Sequence, residues 1–458
     1  MKRTVAAVCG ALCLFSSLGT LGADPAPAPR SLTMEQAVSL ALAQNLGLSS
    51  NDLQTAIKKR DHDYAWNQLM PTVAATGNVL RLNTAPTTFG YSGGGLALVQ
   101  INPWMISGGF SVQWNLSMAL LHAIDQTSID YQNSVISAQS ARQQLIRDVK
   151  KAFNQLLALN ESIKVTQNQI ANAEDRYRQT KASYQSGLAS SVSMLQAQVS
   201  WANLKPTLEN QELAVKQAMR AFAYLLGLDV RTPLTLVGKI EIPQNLPLLD
   251  PSVLLEAYLD RRFDVMQTEG ALRSQKNLQK LQNDQLWPTF SISYSASPTL
   301  SAAFDPATDW GNSANWLDSS GSLTFLLRWQ LDSLIPGFST WTKAQDTNDS
   351  LRLTQISLAQ VRQAAGIEVS RLTDQISASA QSLKTLDLNV DLAQKSYDQT
   401  EAAYQAGSQT LLDVQGADLQ LQSAQLQVLN EKLTLVNGLL DLEYSLNATK
   451  NELLKGAP

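Results

Sequence analysis

The amino-acid sequence predicts the α+β class: long coiled-coil helices carrying short β-hairpins, laid out twice as two internal repeats. Three observations predict it. A twenty-residue word occurs twice: Tyr177 to Gln196 reads YRQTKASYQSGLASSVSMLQ, and Tyr397 to Gly416 reads YDQTEAAYQAGSQTLLDVQG. Tyr177 lies over Tyr397, Tyr184 over Tyr404 and Gly187 over Gly407, all at an offset of 220. Before each copy runs a seam of period 3.5: Leu145, Val149, Ala152, Leu156, Leu159, Ile163, Thr166, Ile170 and Ala173. Its counterpart is Ala365, Val369, Leu372, Ile376, Ser379, Leu383, Leu386, Val390 and Ala393. That period marks a coiled coil, because a straight helix drifts at 3.6. The third observation is a pair of strand hairpins bracketed by tryptophan.

Residues 1 to 23 read as a secretory signal peptide. Lys2 and Arg3 form the basic start, Val5 to Leu21 is mostly apolar or small, and Leu21-Gly22-Ala23 precedes the expected cut. Both cysteines, Cys9 and Cys13, fall inside it. The mature chain then offers no disulfide, thiolate metal site or catalytic thiol. PAPAP at Pro25 to Pro29 is a short extended leader. The net charge of -4 gives no footprint for nucleic acid, and charged residues make up 16 %, below the ~25 % of soluble domains.

The first repeat is expected over 24–228. Thr33 and Gln36 are spaced as a capping box opening a short helix to Asn45. Helix continues from Gly47 to Met70 and stops at Pro71. A hairpin follows at about 72–117, with strands Thr72–Leu82 and Gly109–Leu116 and a loop at about 83–108. The helical hairpin after it has its tip near 184–193. Residues 229–250 are a linker. The second repeat, 251–458, has helices Pro251–Asp260 and Asp264–Trp287 ending at Pro288. Its hairpin lies at about 289–331, with strands Thr289–Ser297 and Ser322–Leu331 and a loop at about 298–319. Its tip lies near 404–413.

Strands of about ten residues suit a tilted membrane crossing. Phe290, Ile292 and Tyr294 alternate with serines. Trp114, Trp287 and Trp329 sit at the helix-proximal strand ends and Trp104, Trp310 and Trp316 near the loops, as in the aromatic girdles of a barrel facing outer-membrane lipid. Four strands cannot close a barrel alone: either the sheet is an open soluble one or several chains share a barrel, and the long helices favour sharing. From Met118 to Ser183 no proline or strong turn signal occurs, about 100 Å of helix at 1.5 Å per residue. Return helices are expected at about Ser191–Leu226, with a kink at Pro206, and Thr410–Leu453.

Catalytic chemistry is missing from the pattern. His62 and His122 have no carboxylate or cysteine partner at ligand spacing. Gly93-Gly94-Gly95 lies between strands, not before a helix, so it is no phosphate loop. No enzyme, metal site or cofactor is expected. The competing class is a non-inserted periplasmic or secreted coiled-coil protein, which the ten-residue strands and their tryptophans oppose.

From Leu32 to about Leu453 the chain resembles the TolC-like outer-membrane efflux proteins. The resemblance rests on the duplicated halves, Leu-Met-Pro71 and Leu-Trp-Pro288, the stretch Arg262 to Val265, and the turns Tyr184-Gln-Ser-Gly187-Leu188 and Tyr404-Gln-Ala-Gly407-Ser408 with Leu412-Asp413-Val414. It implies a homotrimer: a transmembrane β-barrel shared at four strands per protomer, continued by a long coiled-coil α-helical barrel through the periplasm. It implies the exit duct of a tripartite efflux or type I secretion system in the bacterial outer membrane, working with an inner-membrane pump and a periplasmic adaptor. Tyr184, Gly187, Leu188, Tyr404, Gly407 and Ser408 match the adaptor-docking tip, and Ser193, Gln409 and Asp413 the channel constriction. Three of the charges usual there are replaced, by Ser193, Gln409 and Gly416. Asp413 leaves two readings open: an anionic ring that favours cations, or a solvated helix-start carboxylate.

Overall fold

The computed structural model of the chain describes residues 30–454, apart from 86, 93, 101–102, 244–248, 302, 306–307, 318–320 and 332–334. The expected signal peptide and proline leader therefore lie outside the described residues, and part of the linker with them. Helices dominate. The first repeat's order is β1 (Arg30–Leu32), α1 (Met34–Gln44), α2 (Leu46–Asp63), β2 (Thr72–Arg81), β3 (Thr87–Ser92), β4 (Gly95–Gln100), β5 (Trp104–Leu116), α3 (Ala119–Gln185) and α4 (Ser191–Leu225). Then come β6 (Leu234–Leu236), α5 (Pro251–Tyr258), α6 (Phe263–Asp284), β7 (Thr289–Ala296), β8 (Thr299–Ser301), β9 (Trp316–Leu317), β10 (Ser322–Arg328), α7 (Ser339–Gln405), α8 (Leu411–Leu446) and α9 (Lys450–Leu454).

The long helices repeat with one offset. α3 and α7 each hold 67 residues, and their starts and ends differ by 220. Leu226 and Leu446 are both wholly buried, and the next residues, Gly227 and Asn447, both turn left-handed, with φ of 76° and 48°. The seam is the reason for these lengths. On α7 the buried residues are Ala365, Val369, Leu372, Thr373, Ile376, Ser379, Leu383 and Ala393, all on the expected seam except Thr373. On α3 Leu145, Val149, Leu156, Thr166 and Ala173 are buried, and a second buried face carries Phe153, Asn154 and Leu157. That second face exists because α3 sits centrally, meeting α1, α2, α4, α6 and α8. Phe153, Leu156 and Phe222 anchor one core with Ala37 and Ala41 of α1, whose start is the expected Thr33/Gln36 capping box. Leu372, Ile376, Leu435 and Leu442 anchor the other with Leu254 and Tyr258 of α5.

Four long strands form one antiparallel sheet in the order β2–β5–β7–β10. Its register sorts the side chains by chemistry, because alternate residues share a face. Val73, Val79, Phe110, Val112, Trp114, Phe290, Ile292, Tyr294, Leu323, Phe325 and Leu327 fall on one face. Thr72, Thr76, Asn78, Ser111, Gln113, Ser291, Ser293, Ser295, Ser322 and Thr324 fall on the other, together with the apolar Leu80, Met105 and Leu326. β2 and β10 are fully exposed along their lengths, and each has a single neighbour among the described residues. Parallel pairing of β1 with β6 is a separate small sheet where the linker begins.

Several sequence expectations need correcting. The 83–108 segment is not a plain loop: β3 and β4 form a second hairpin there, and β5 begins at Trp104 rather than Gly109. Residues 298–319 likewise carry β8 and β9. The last long strand stops at Arg328, so Trp329 stands just past it. The helix expected to Met70 ends at Asp63 and finishes as a 3-10 turn over Ala65–Leu69. The last helix does not reach Leu453 unbroken, because Asn447 takes the left-handed conformation and ends α8. His122 does have carboxylate neighbours: Asp125 and Asp284 each lie 3.4 Å from its ring. Asp284 reaches it from α6, a contact that spacing along one helix could not reveal.

Candidate functional site

Both helical turns are built by the same backbone device. Gly187 and Gly407 each have φ of 76°, a conformation that costs glycine nothing and other residues a Cβ clash. At the first turn the Leu188 amide donates to the Ser183 carbonyl at 2.8 Å and the Gly187 amide to Tyr184 at 3.0 Å. At the second, the Ser408 amide donates to Ala403 at 2.9 Å and Gly407 to Tyr404 at 2.9 Å. These bonds satisfy the carbonyls a helix leaves free at its end. Each return helix then starts from a hydroxyl cap. Ser190 Oγ accepts from the Ser193 amide at 3.1 Å, and Thr410 Oγ1 accepts from the Asp413 amide at 3.3 Å.

The side chains diverge. Asp413 closes a capping box: its Oδ2 accepts from the Thr410 amide at 2.9 Å and the Thr410 hydroxyl at 2.6 Å. Those bonds, the hydroxyl first, hold its carboxyl below the usual carboxylate range although it is fully exposed. Ser193 instead shares a hydroxyl contact with Ser190 at 2.9 Å. Ser193 and Asp413 thus bond to their own caps, and Gln409, next to Thr410 in the chain, is exposed. Tyr404 is half-buried, its hydroxyl 3.4 Å from Thr180 Oγ1 of α3. Tyr184 is exposed, and Leu188 is 84 % exposed, the barest large apolar residue described. Ser408 is exposed, and its hydroxyl donates back to Ala403 at 3.0 Å.

Just above the tips, sequence reasoning missed the strongest link between the two helical hairpins. Arg176 of α3 and Asp418 of α8 form a buried ion pair, 5 % and 8 % exposed. Arg176 also donates to the Asn172 carbonyl at 3.1 Å and lies 5.8 Å from the Tyr397 ring centre. The available signal was a charge on an apolar seam: Arg176 falls three residues after Ala173. Higher up, Arg262 is buried at the start of α6. Burial alone would lower its pKa, but bonds to Asp264 and to Glu368 of α7 outweigh that and raise it. The stretch Arg262 to Val265 therefore fastens α6 to α7.

At the opposite end, two of the predicted membrane-interface tryptophans make equivalent bonds. Trp114 Nε1 donates to the Leu69 carbonyl at 2.7 Å and Trp329 Nε1 to the Leu286 carbonyl at 3.0 Å. Their rings, and that of Trp287, remain exposed. An apolar ring with one bonded polar end suits the boundary between lipid and water. No helix among the described residues is long and apolar enough to cross a membrane. Nor do those residues gather three or more histidine, cysteine, aspartate or glutamate side chains about a possible metal.

The model of one family, described as "Outer membrane efflux protein", matches residues 37–228 and 254–448. A probable efflux pump outer membrane protein of Pseudomonas putida, TtgC, is 21% identical over 388 residues, 83% of this chain and 76% of the relative. Among solved structures, the outer-membrane channel OprN superposes with a TM-score of 0.72 at 18% identity, covering 91% of this chain and 90% of that one. The Campylobacter jejuni CmeC outer membrane channel superposes with a TM-score of 0.75 at 13% identity, covering 90% and 85%.

Proposed function

The chain belongs to the outer membrane efflux protein family, and we propose from that premise how its parts divide the work. It is an outer-membrane channel, the exit duct of a tripartite efflux system, with a large periplasmic portion. It is a conduit rather than an enzyme, and energy comes from the inner-membrane pump, reached through a periplasmic adaptor. Three copies each lend the sheet β2–β5–β7–β10 to one barrel, and their paired hairpins extend it as one helical tunnel. The observation that carries this reading is the sheet. One face is apolar, the other is mostly polar apart from Leu80, Met105 and Leu326, and both edges are open among the described residues. An apolar face in water and two unpaired edges are each unfavourable alone. Lipid outside, water inside and neighbours at both edges remove all three costs.

In this reading the tips dock the adaptor through Leu188, Tyr184, Tyr404 and Ser408 on the turns fixed by Gly187 and Gly407. Ser193, Gln409 and Asp413 line the constriction. Thr410 holds the exposed Asp413 carboxyl below its ordinary range, and in this reading the one carboxylate is both helix cap and anionic ring. Planar-bilayer conductance of the purified protein tests the assignment. Wild type should give discrete channels with cation preference, and Asp413→Asn should reduce that preference. Channels whose selectivity ignores the substitution would remove the ring. Absence of channels, with recovery as a soluble periplasmic monomer, would sink the conduit itself.

A further inference from the structure

Past the sheet's loop end the two repeats treat their apolar residues differently. In the second repeat β8 pairs with β5 and β9 with β8, and Leu300 and Ala303 are buried. In the first, β3 and β4 pair with one another, and among the described residues neither packs substantially on any other element. Their register sets Phe89 opposite Leu98, with Leu96 next along the same face. Phe89 is 74 %, Leu96 70 % and Leu98 64 % exposed. Large apolar side chains gathered bare on one face call for a cover.

Three observations say what covers it. The hairpin continues the sheet. One step beyond the Arg81–Trp104 pair the Leu82 amide donates to the Pro103 carbonyl at 2.9 Å, and pairing resumes at Thr87 and Gln100. The sheet ends there on a boundary marker: Arg81 lies 5.6 Å over the Trp104 ring centre, a cation beside an amphipathic ring, as found where lipid meets water. Charge is also missing. From Leu82 to Pro103 there is no Asp, Glu, Lys or Arg, whereas the second repeat's loop carries Asp305 and Asp309. A loop standing in water tolerates such carboxylates, and lipid penalises them.

We infer that the β3–β4 hairpin lies on the outer surface of the membrane beside the barrel, with Phe89, Leu96 and Leu98 set into lipid. The two ladders are out of step: four residues separate Leu82 from Thr87, and two separate Gln100 from Pro103. An unequal count of this kind bends a ribbon, which lets the hairpin lie over rather than stand. Each of its strands has six residues, about 20 Å at about 3.3 Å per residue, enough to rest on lipid outside the barrel wall. In that position the hairpin is held away from the mouth of the duct.

The inference rests on the reading of the sheet as a membrane wall, and one labelling experiment separates the two. Residues 30–454 contain no native cysteine. Val79→Cys, Phe89→Cys, Gly95→Cys and Leu98→Cys, each alone in the full chain, are labelled with a polarity-sensitive fluorophore. The proteins are reconstituted in phosphatidylcholine vesicles that carry a nitroxide-labelled lipid. Val79 lies on the apolar face of β2 and reports the wall. Gly95 lies on the hairpin's other face, and a Cβ there meets nothing within 4 Å. Labels at 79, 89 and 98 should be blue-shifted and quenched several-fold more by the lipid nitroxide than by aqueous iodide, and the label at 95 should show the reverse. Lipid quenching at 79 with iodide quenching at 89 and 98 would overturn the placement of the hairpin and leave the wall standing. Labels at 89 and 98 shielded from both quenchers would overturn it too, because protein would then cover the face. Iodide quenching at 79 would overturn the wall and the inference together. Phe89 and Leu98 lie on different strands, so one still decides if the other variant fails to fold.

Discussion

Around Gly407 four side chains are more buried than their counterparts around Gly187, although both turns have the same φ and the same pair of closing bonds. Leu411, Val414 and Asp418 are buried and Tyr404 is half-buried, whereas the counterparts Ser191, Gln198 and Tyr184 are exposed and Met194 is half-buried. The difference lies in what stands alongside. α8 packs on both α7 and α3, whereas among the described residues α4 packs substantially on α3 alone. Exposure at the first turn therefore reports a missing neighbour rather than a weaker turn. Changes to the flank should act on one turn alone, and changes to the backbone should act on both.

The largest effect belongs to the flank. Arg176→Ala leaves the Asp418 carboxylate buried without its cation, and breaking a buried pair from one side costs about 3–5 kcal/mol. The expected outcome is a lower melting temperature in detergent by circular dichroism and faster proteolysis at the Gly407 turn, with the Gly187 turn unchanged. Replacing both partners, Arg176→Met with Asp418→Leu, should recover most of the loss, because it removes the stranded charge along with the pair. If the single variant melts like wild type, the two hairpins are not joined at this point.

Next come the backbone changes. Neither Gly187 nor Gly407 has an atom within 4 Å of where a Cβ would lie, so Gly→Ala costs conformational strain alone. That strain is about 1–2 kcal/mol at each position. Amide hydrogen exchange should show both turns loosened by similar amounts. A clearly larger effect at Gly407 would mean that its flank, and not its backbone, holds the turn.

The same contrast separates what the sequence disclosed from what it did not. The seam was legible because a coiled coil repeats one kind of side chain every 3.5 residues, and Val149 and Val369 are both wholly buried on it. Thr33 and Gln36 were legible because a capping box is a local bond. The hairpin of β3 and β4 was not, since TTFGYS and GLALVQ alternate only over short runs set among the glycine, threonine, serine and proline that mark a loop. The end of α8 was hidden because asparagine rarely announces a left-handed turn, although its counterpart Gly227 does. Arg176 and Asp418 lie 242 residues apart, and no local pattern joins such a pair. At the candidate tip the turns were readable for the same reason as the seam. The partners of Tyr404 and Asp418 were not, because the other hairpin supplies them.

The caps come next in size. Thr410→Ala removes the acceptor for the Asp413 amide and one donor to its carboxylate, while Ser190→Ala removes a hydroxyl cap without a box. Loss of a cap costs about 1 kcal/mol, and Thr410→Ala should be the larger of the two. Hydrogen exchange in the first turn of α8 against that of α4 measures it.

The smallest effect is that of pH on the second turn. The Asp413 carboxyl is held below its ordinary value of 3.8 by Thr410. A carboxyl depressed in this way stabilises the fold fully above its unfolded pKa and loses that contribution as pH falls through the lower, folded value. The start of α8 should therefore be unchanged from neutral pH down to about the ordinary carboxylate range and should fray only below it. The first turn has Ser193 at the corresponding position and should show no such step. Asp413→Asn should abolish the step, because the amide does not titrate. Chemical shifts or hydrogen exchange of the two turns, followed through acid in the same sample, make each turn the other's control. Equal responses would assign the acid effect to the shared assembly, and a response confined to α8 would assign it to the one capping carboxylate.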